Sequence, residues 1–260
     1  MMYTKVLIVG ANSYVASQCL PGLKFHDSAV FLVSRESIPS IDPSKINQAK
    51  TLKLSNYEDS NVLNTLINFL QLKSDDNLLV INFTGSFGSI ESLENLNLES
   101  FAFEVNQNLI PFMVLSKLIS TCDSGLFLSF AGAGIGGDNL EVASLSYLTS
   151  KASIVLLVEG LDNVLRLDGI RVGAISPGAF PSRMQKLVAE SENTSAVSME
   201  RKRQALKTLE SEVDPNKLIS LLNFLIENPD MAGGRVWSAN FDTLKTEFPD
   251  KNFGKLRRVY

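Results

Sequence analysis

Short apolar runs alternate along the chain with longer segments of helical period. The first run, Lys5 to Val9, is β-branched and closes on Gly10; Ala11 to Ala16 then leads into a helical stretch ending near Leu23. Ala29 to Val33 reads as a second strand, closing on Ser34-Arg35, and Thr51 to Leu54 as a third, followed by an amphipathic helix from about Asp59 to Leu70. Asn77 to Phe83 is a fourth strand, with the turn Thr84-Gly85-Ser86-Phe87-Gly88 behind it. A long helix is predicted over Glu99 to Ile119, with Asn106 and Pro111 inside it. Leu126 to Phe130 is a fifth strand, running into the glycine-rich Ala131 to Gly137. A second long helix reaches about Leu167, Ile170 to Ile175 is a sixth strand ending at Ser176-Pro177-Gly178, and Lys217 to Ile226 and Gly234 to Ala239 are a last helix and strand.

Apolar strands without clean alternation, separated by helices, imply a parallel sheet covered on both faces. Right-handed crossovers then give a doubly wound α/β sheet of seven strands, mostly parallel, with its site at the strands' carboxyl ends. Gly10, Arg35, Asn82, Ser129 and Pro177 all fall at such ends. With no repeat and no linker, residues 1–260 read as one domain. The polar stretch 179–213 is either a lid over the mouth of the site or a solvated pair of surface helices.

Composition narrows the chemistry. The chain has 260 residues, 45% hydrophobic and 20% charged, with a formal net charge of −4. That balance argues against a nucleic-acid partner, whose phosphates favour a basic face. Two cysteines and one histidine, His26, supply neither a disulfide framework nor a zinc or histidine-based catalytic set, so no metal is expected. No apolar run approaches the length that spans a bilayer, and a cytoplasmic protein is expected.

Tyr147 and Lys151 head the second long helix, where a spacing of four puts both side chains on one face. An ammonium beside a phenol favours the phenolate, and such a pair can exchange a proton with a carbonyl or alcohol oxygen. Strand, glycine turn and helix at the start of the chain form a nucleotide-binding arrangement, the helix N-terminus facing a phosphate. At the end of the second strand a basic residue suits the 2′-phosphate of NADP, whereas an acidic one suits NAD. Ser34-Arg35 therefore favours NADP, with NAD the alternative.

In their order these elements resemble the short-chain dehydrogenase/reductase family, single-domain branch, over nearly the whole chain. Gly10 resembles the first glycine of its cofactor loop, Asn82-Phe83-Thr84-Gly85 its Asn-Asn-Ala-Gly element, and Pro177-Gly178 its Pro-Gly turn. The resemblance implies a Rossmann-type fold and hydride transfer between a nicotinamide and a carbonyl or alcohol carbon. Tyr147 would be the acid/base, Lys151 would lower its pKa and hold the ribose, Ser129 would bind the substrate oxygen, and Asn106 would support a water-linked proton path. Gly10, Asn12, Ser13, Tyr14, Val15, Ser34, Arg35, Asn82, Phe83, Thr84, Gly85, Tyr147, Lys151, Pro177, Gly178 and Ser182 would contact the cofactor. Pro111 leaves the carbonyl of Gln107 without its helical donor, which predicts a kink beside Asn106.

Tyr14 and Ala16 stand where the family usually has glycine, and Ser129 lies further ahead of Tyr147 than is usual. A second reading follows: a nucleotide-binding sensor or scaffold that is weakly active or inactive. For an enzyme, the substrate is a small carbonyl or alcohol, a keto-sugar or nucleotide-sugar among the candidates. Arg201, Lys202 and Arg203 would then meet phosphate, and Phe87, Phe180 and Met184 would form the apolar wall. Apolar excess on the two long helices predicts a homodimer or homotetramer.

Overall fold

The computed structural model describes residues 2–36, 49–132, 144–193 and 197–240. Among these, seven strands form one all-parallel sheet in the order β3-β2-β1-β4-β5-β6-β7. They are β1 (Lys5–Val9), β2 (Ala29–Ser34), β3 (Lys50–Lys53), β4 (Asn77–Asn82), β5 (Ser124–Phe130), β6 (Ile170–Ser176) and β7 (Val236–Ser238). Because β1 lies between β2 and β4, the chain reverses its direction of travel across the sheet there. A crevice opens at that switch point beyond the strands' carboxyl ends.

The helices are α1 (Tyr14–Cys19), α2 (Val62–Leu70), α3 (Leu98–Ile119), α4 (Leu145–Leu165), α5 (Arg183–Glu190), α6 (Met199–Glu210), α7 (Asn216–Glu227) and α8 (Pro229–Ala232). Alternate strand residues feed two cores. Val6, Ile8, Leu79 and Ile81 pack with Leu222, Leu225 and Trp237 on one face. Leu7, Val9, Leu78 and Val80 pack with Leu66, Phe112, Leu115 and Ile154 on the other. Strands with both faces buried read as continuous apolar runs, which is why periodicity found them.

The first helix is shorter than its pattern predicts. Its α-helical ladder ends at Cys19 and passes into a single 3-10 turn, Leu20–Gly22. Pro21 has no N–H for the next helical bond, and that ends the ladder. His26 sits beyond this turn with φ 48°, in the left-handed region. Helix α3 runs through the buried Pro111 to Ile119.

Candidate active site

Gly10 closes the turn after β1 and is not itself on the cavity wall. Its φ is +74°, and a Cβ there would meet Phe83 C and Thr84 N at 2.9 Å, so the β1 turn packs backbone to backbone on the turn after β4. The next turn opens α1, where the Ser13 hydroxyl caps the helix by accepting from Ala16 N at 3.2 Å. Tyr14 is 41% exposed, and its ring leans edge-on toward Phe180 at 6.5 Å between centroids. Asn12, Ser13, Tyr14 and Val15 line one end of a cavity of about 1160 Å³, and Arg35 lines it from the end of β2.

The other end is built on α4. Ser144 caps the helix, accepting from Tyr147 N at 3.3 Å while donating to Phe87 O at 2.7 Å. Lys151 is buried and donates to Phe130 O at 2.8 Å, and its Nζ lies 5.6 Å from the Tyr147 ring centroid. Phe87 packs on Tyr147 with ring centroids 5.1 Å apart. Gly132 lies close on the other side, since a Cβ built there would come within 3.0 Å of the Tyr147 hydroxyl. Tyr147 and Lys151 face the same cavity as the β1 turn.

Burial sets the protonation states. It pushes the Tyr147 phenol up to about 12, with the Arg201 guanidinium drawing it back. The same cause pushes Lys151 down to about 8. The sequence expectation was that Lys151 lowers the phenol's pKa. Instead, burial dominates and Arg201 is the cation that opposes it, leaving Tyr147 protonated at neutral pH.

Two residues stand elsewhere than the sequence reading put them. Asn106 is exposed on α3. The buried asparagine is Asn108: its Oδ1 accepts from Ser86 N at 2.8 Å, and its Nδ2 donates to Ser86 O at 2.9 Å and Ser150 Oγ at 3.1 Å. A Cβ on Gly85 would lie 3.8 Å from Lys151 Nζ and 4.0 Å from Asn108 Oδ1, so these two side chains converge on one point. Ser129 is 1% exposed inside the sheet, where its register partner Asn82 donates to its hydroxyl at 3.4 Å. It does not line the cavity. No serine occurs between Ser129 and Ser144 in the sequence, and Ser144 is the one of the two on the cavity wall.

The remaining expected contacts divide. Phe83, Thr84, Gly85, Pro177, Gly178 and Ser182 line the cavity, as do all three expected wall residues, Phe87, Phe180 and Met184. Asn82 is spent on the turn, its Oδ1 accepting from Thr84 N at 3.0 Å and Thr84 Oγ1 at 2.6 Å. The Ser34 hydroxyl is buried and donates to Glu36 O. Of Arg201, Lys202 and Arg203, expected to meet phosphate, Arg201 lines the cavity, while Arg203 reaches Glu200 at 3.8 Å. The 179–213 stretch forms α5 and α6, which share a small core of Val188, Val197 and Ala205 with Phe87 and Ile90. Gly134, Gly136 and Gly137 of the glycine-rich loop, and the basic C-terminal tail, lie outside the described residues.

No family model matches the chain, and no curated protein matches its sequence. Solved structures do match its fold. A short-chain dehydrogenase/reductase from Saccharomyces cerevisiae superposes with a TM-score of 0.76 at 16% identity, over 91% of this chain and 96% of that one. An NAD+-bound xylitol dehydrogenase gives 0.72 at 20% identity, over 90% and 96%. RhlG of Pseudomonas aeruginosa, in an active-site complex with NADP, gives 0.71 at 18% identity, over 92% and 95%. The chain has the Rossmann-type fold of the short-chain dehydrogenases/reductases.

Proposed function

We propose that this chain is an NAD(P)-dependent oxidoreductase of the short-chain dehydrogenase/reductase family, with NADP preferred and Tyr147 as acid/base. The observation that carries the reading is the meeting of Tyr147 and Lys151 in one cavity with the β1 turn and Arg35, with Asn108 converging on Lys151 beside Gly85. The residues fit a dinucleotide: the Gly10 turn approaches Phe83-Thr84 without a side chain between them, Tyr14 leans toward Phe180, and Arg35 lines the cavity after β2, where a cation suits a 2′-phosphate. When bound, the nicotinamide supplies or accepts the hydride. Tyr147, protonated at neutral pH, would donate its proton to a carbonyl oxygen in reduction, and its phenolate would take the proton of an alcohol in oxidation. Lys151, buried beside the Tyr147 ring, would hold the cofactor ribose, and Asn108 holds the Ser86 backbone against Ser150. Helices α5 and α6 would act as the lid of a single-domain protein. Keto-sugars and nucleotide-sugars are the first carbonyl compounds to screen.

The test is a titration with NADPH and NADH by nicotinamide fluorescence, on wild type, Arg35→Ala and Tyr147→Phe. Micromolar NADPH binding weakened by Arg35→Ala, with turnover lost and binding kept in Tyr147→Phe, is the expected result. A nucleotide-binding sensor is favoured by Tyr14 on the cavity wall. It predicts binding of nucleotide and no turnover of any carbonyl by the wild type. Absence of binding by either nucleotide overturns both readings.

A further inference from the structure

The cavity wall carried by α5 and α6 holds polar groups that the nucleotide does not account for. Arg201 occupies the first turn of α6, its N–H capped by Ser198 at 3.1 Å and its side chain on the cavity. Glu200 also lines the cavity, with Arg203 at 3.8 Å and Gln204 at 3.4 Å on its carboxylate, and no ion pair of Arg201 occurs among the described residues. On α5, Gln185 also lines the cavity, and its Oε1 is out of solvent without a hydrogen-bond partner among the described residues. Arg201 and Tyr147 line the same cavity, and the guanidinium draws the phenol down against its burial. Arg35 serves another region: it follows β2, whereas Lys151 bonds to the end of β5, and β1 and β4 stand between those strands. At ordinary strand spacing that is about 14 Å across the sheet.

A half-buried cation and a buried amide oxygen are costly to leave unmatched. An apolar ketone matches neither. A guanidinium fork matches carboxylate or phosphate oxygens, and an amide oxygen accepts from a hydroxyl.

Resting on the oxidoreductase reading above, we infer that the substrate is a carbonyl compound bearing a carboxylate or phosphate, with Arg201 as its counter-ion and Gln185 accepting from a hydroxyl beside it. The anion side of the substrate faces α6 and the carbonyl faces Tyr147. Specificity then comes from the first turn of α6, because a neutral analogue leaves Arg201 unmatched.

Malonate and its neutral dimethyl ester are the probes, titrated calorimetrically into the full chain with and without saturating NADPH. Wild type and Arg35→Ala should bind malonate saturably. Arg201→Gln should bind it at least about tenfold more weakly, and the ester should be weaker on wild type by a similar factor. Arg201→Lys, which keeps the charge and loses the fork, should fall between. Native circular dichroism shows that each variant is folded. Malonate binding that is absent in wild type, undiminished in both Arg201 variants, or lost in Arg35→Ala instead would overturn the assignment. A separate titration that finds no binding of NADPH or NADH would remove the oxidoreductase reading, and the malonate result would still decide the anion site.

Discussion

Asn106 and Asn108 lie two positions apart on α3, about 200° around the helix. The buried face of α3 runs through Asn108, Pro111, Phe112, Leu115 and Leu118, and Asn106 is off it. Matching a motif by its residue type missed that phase; following the apolar face back from Phe112 would have found Asn108. Asn108→Ala should therefore lower turnover at least about tenfold and destabilise by about 1–2 kcal/mol, because it strips the Ser86 N–H and carbonyl of their partner and takes from Ser150 the donor to its hydroxyl. Asn106→Ala should stay within about 0.5 kcal/mol of wild type. Chemical unfolding and steady-state kinetics on the pair check both. Ser129 was equally hidden: strand residues alternate faces, and the sequence does not reveal that Asn82 of the neighbouring strand claims its hydroxyl. Tyr147 and Lys151 do lie on one cavity wall, as a spacing of four on a helix implies.

Lys151 carries a prediction in pH. Burial lowers its folded-state pKa to about 8 from an ordinary value of 10.5, so between these limits the unfolded chain binds more protons. Stability from this group rises with pH through that window, and the penalty is full below pH 8. Lys151→Met removes it. The variant should be more stable than wild type at pH 7, by up to about 3 kcal/mol, and the gap should close as pH rises toward 10. Denaturant unfolding of both proteins at pH 7, 9 and 10 measures this. A gap that widens with pH would contradict the assignment.

Among the elements, the turn after β1 shows how closely the sheet is assembled. A Gly10→Ala side chain would meet backbone rather than a yielding side-chain tip, at a φ that disfavours any Cβ. The substitution should cost more than about 2 kcal/mol and weaken nucleotide binding together with thermal stability, as a melting curve with and without NADPH would show. The parallel sheet was legible from apolar runs joined by helices; the strand order was not, since the crossover from β3 to β4 passes over β2 and β1. Helix ends were less so: α2 begins at Val62 rather than near Asp59, because Asp59 Oδ1 first accepts from Asn61 N at 2.8 Å in a local turn. The character of α5 and α6 was left open by their polar sequence. Their shared core with Phe87 and Ile90 depends on residues distant in the chain, which periodicity within either helix does not encode.

At the scale of the whole molecule, Phe103 and Met113 on α3 and Leu156 and Val164 on α4 are exposed, between 43% and 66%. The two helices carry the apolar excess from which a second copy of this chain was expected as partner. Leu156→Glu should shift the sedimentation coefficient from dimer or tetramer to monomer while leaving the melting profile cooperative. A wild type that sediments as a monomer at all concentrations would exclude self-association through this face. Among the described residues no helix is long and apolar enough to cross a membrane.

The margins of the sheet bear on how copies of the chain meet. β3 is four residues long and mostly exposed, with Lys50 and Lys53 at its ends, and β7 at the opposite margin has three residues. Neither is a runway on which a foreign strand can settle in register, and the lysines repel an approach to one of them. Short margins of this kind leave little backbone free for chain-to-chain growth of the sheet, which guards the protein against fibrous aggregation.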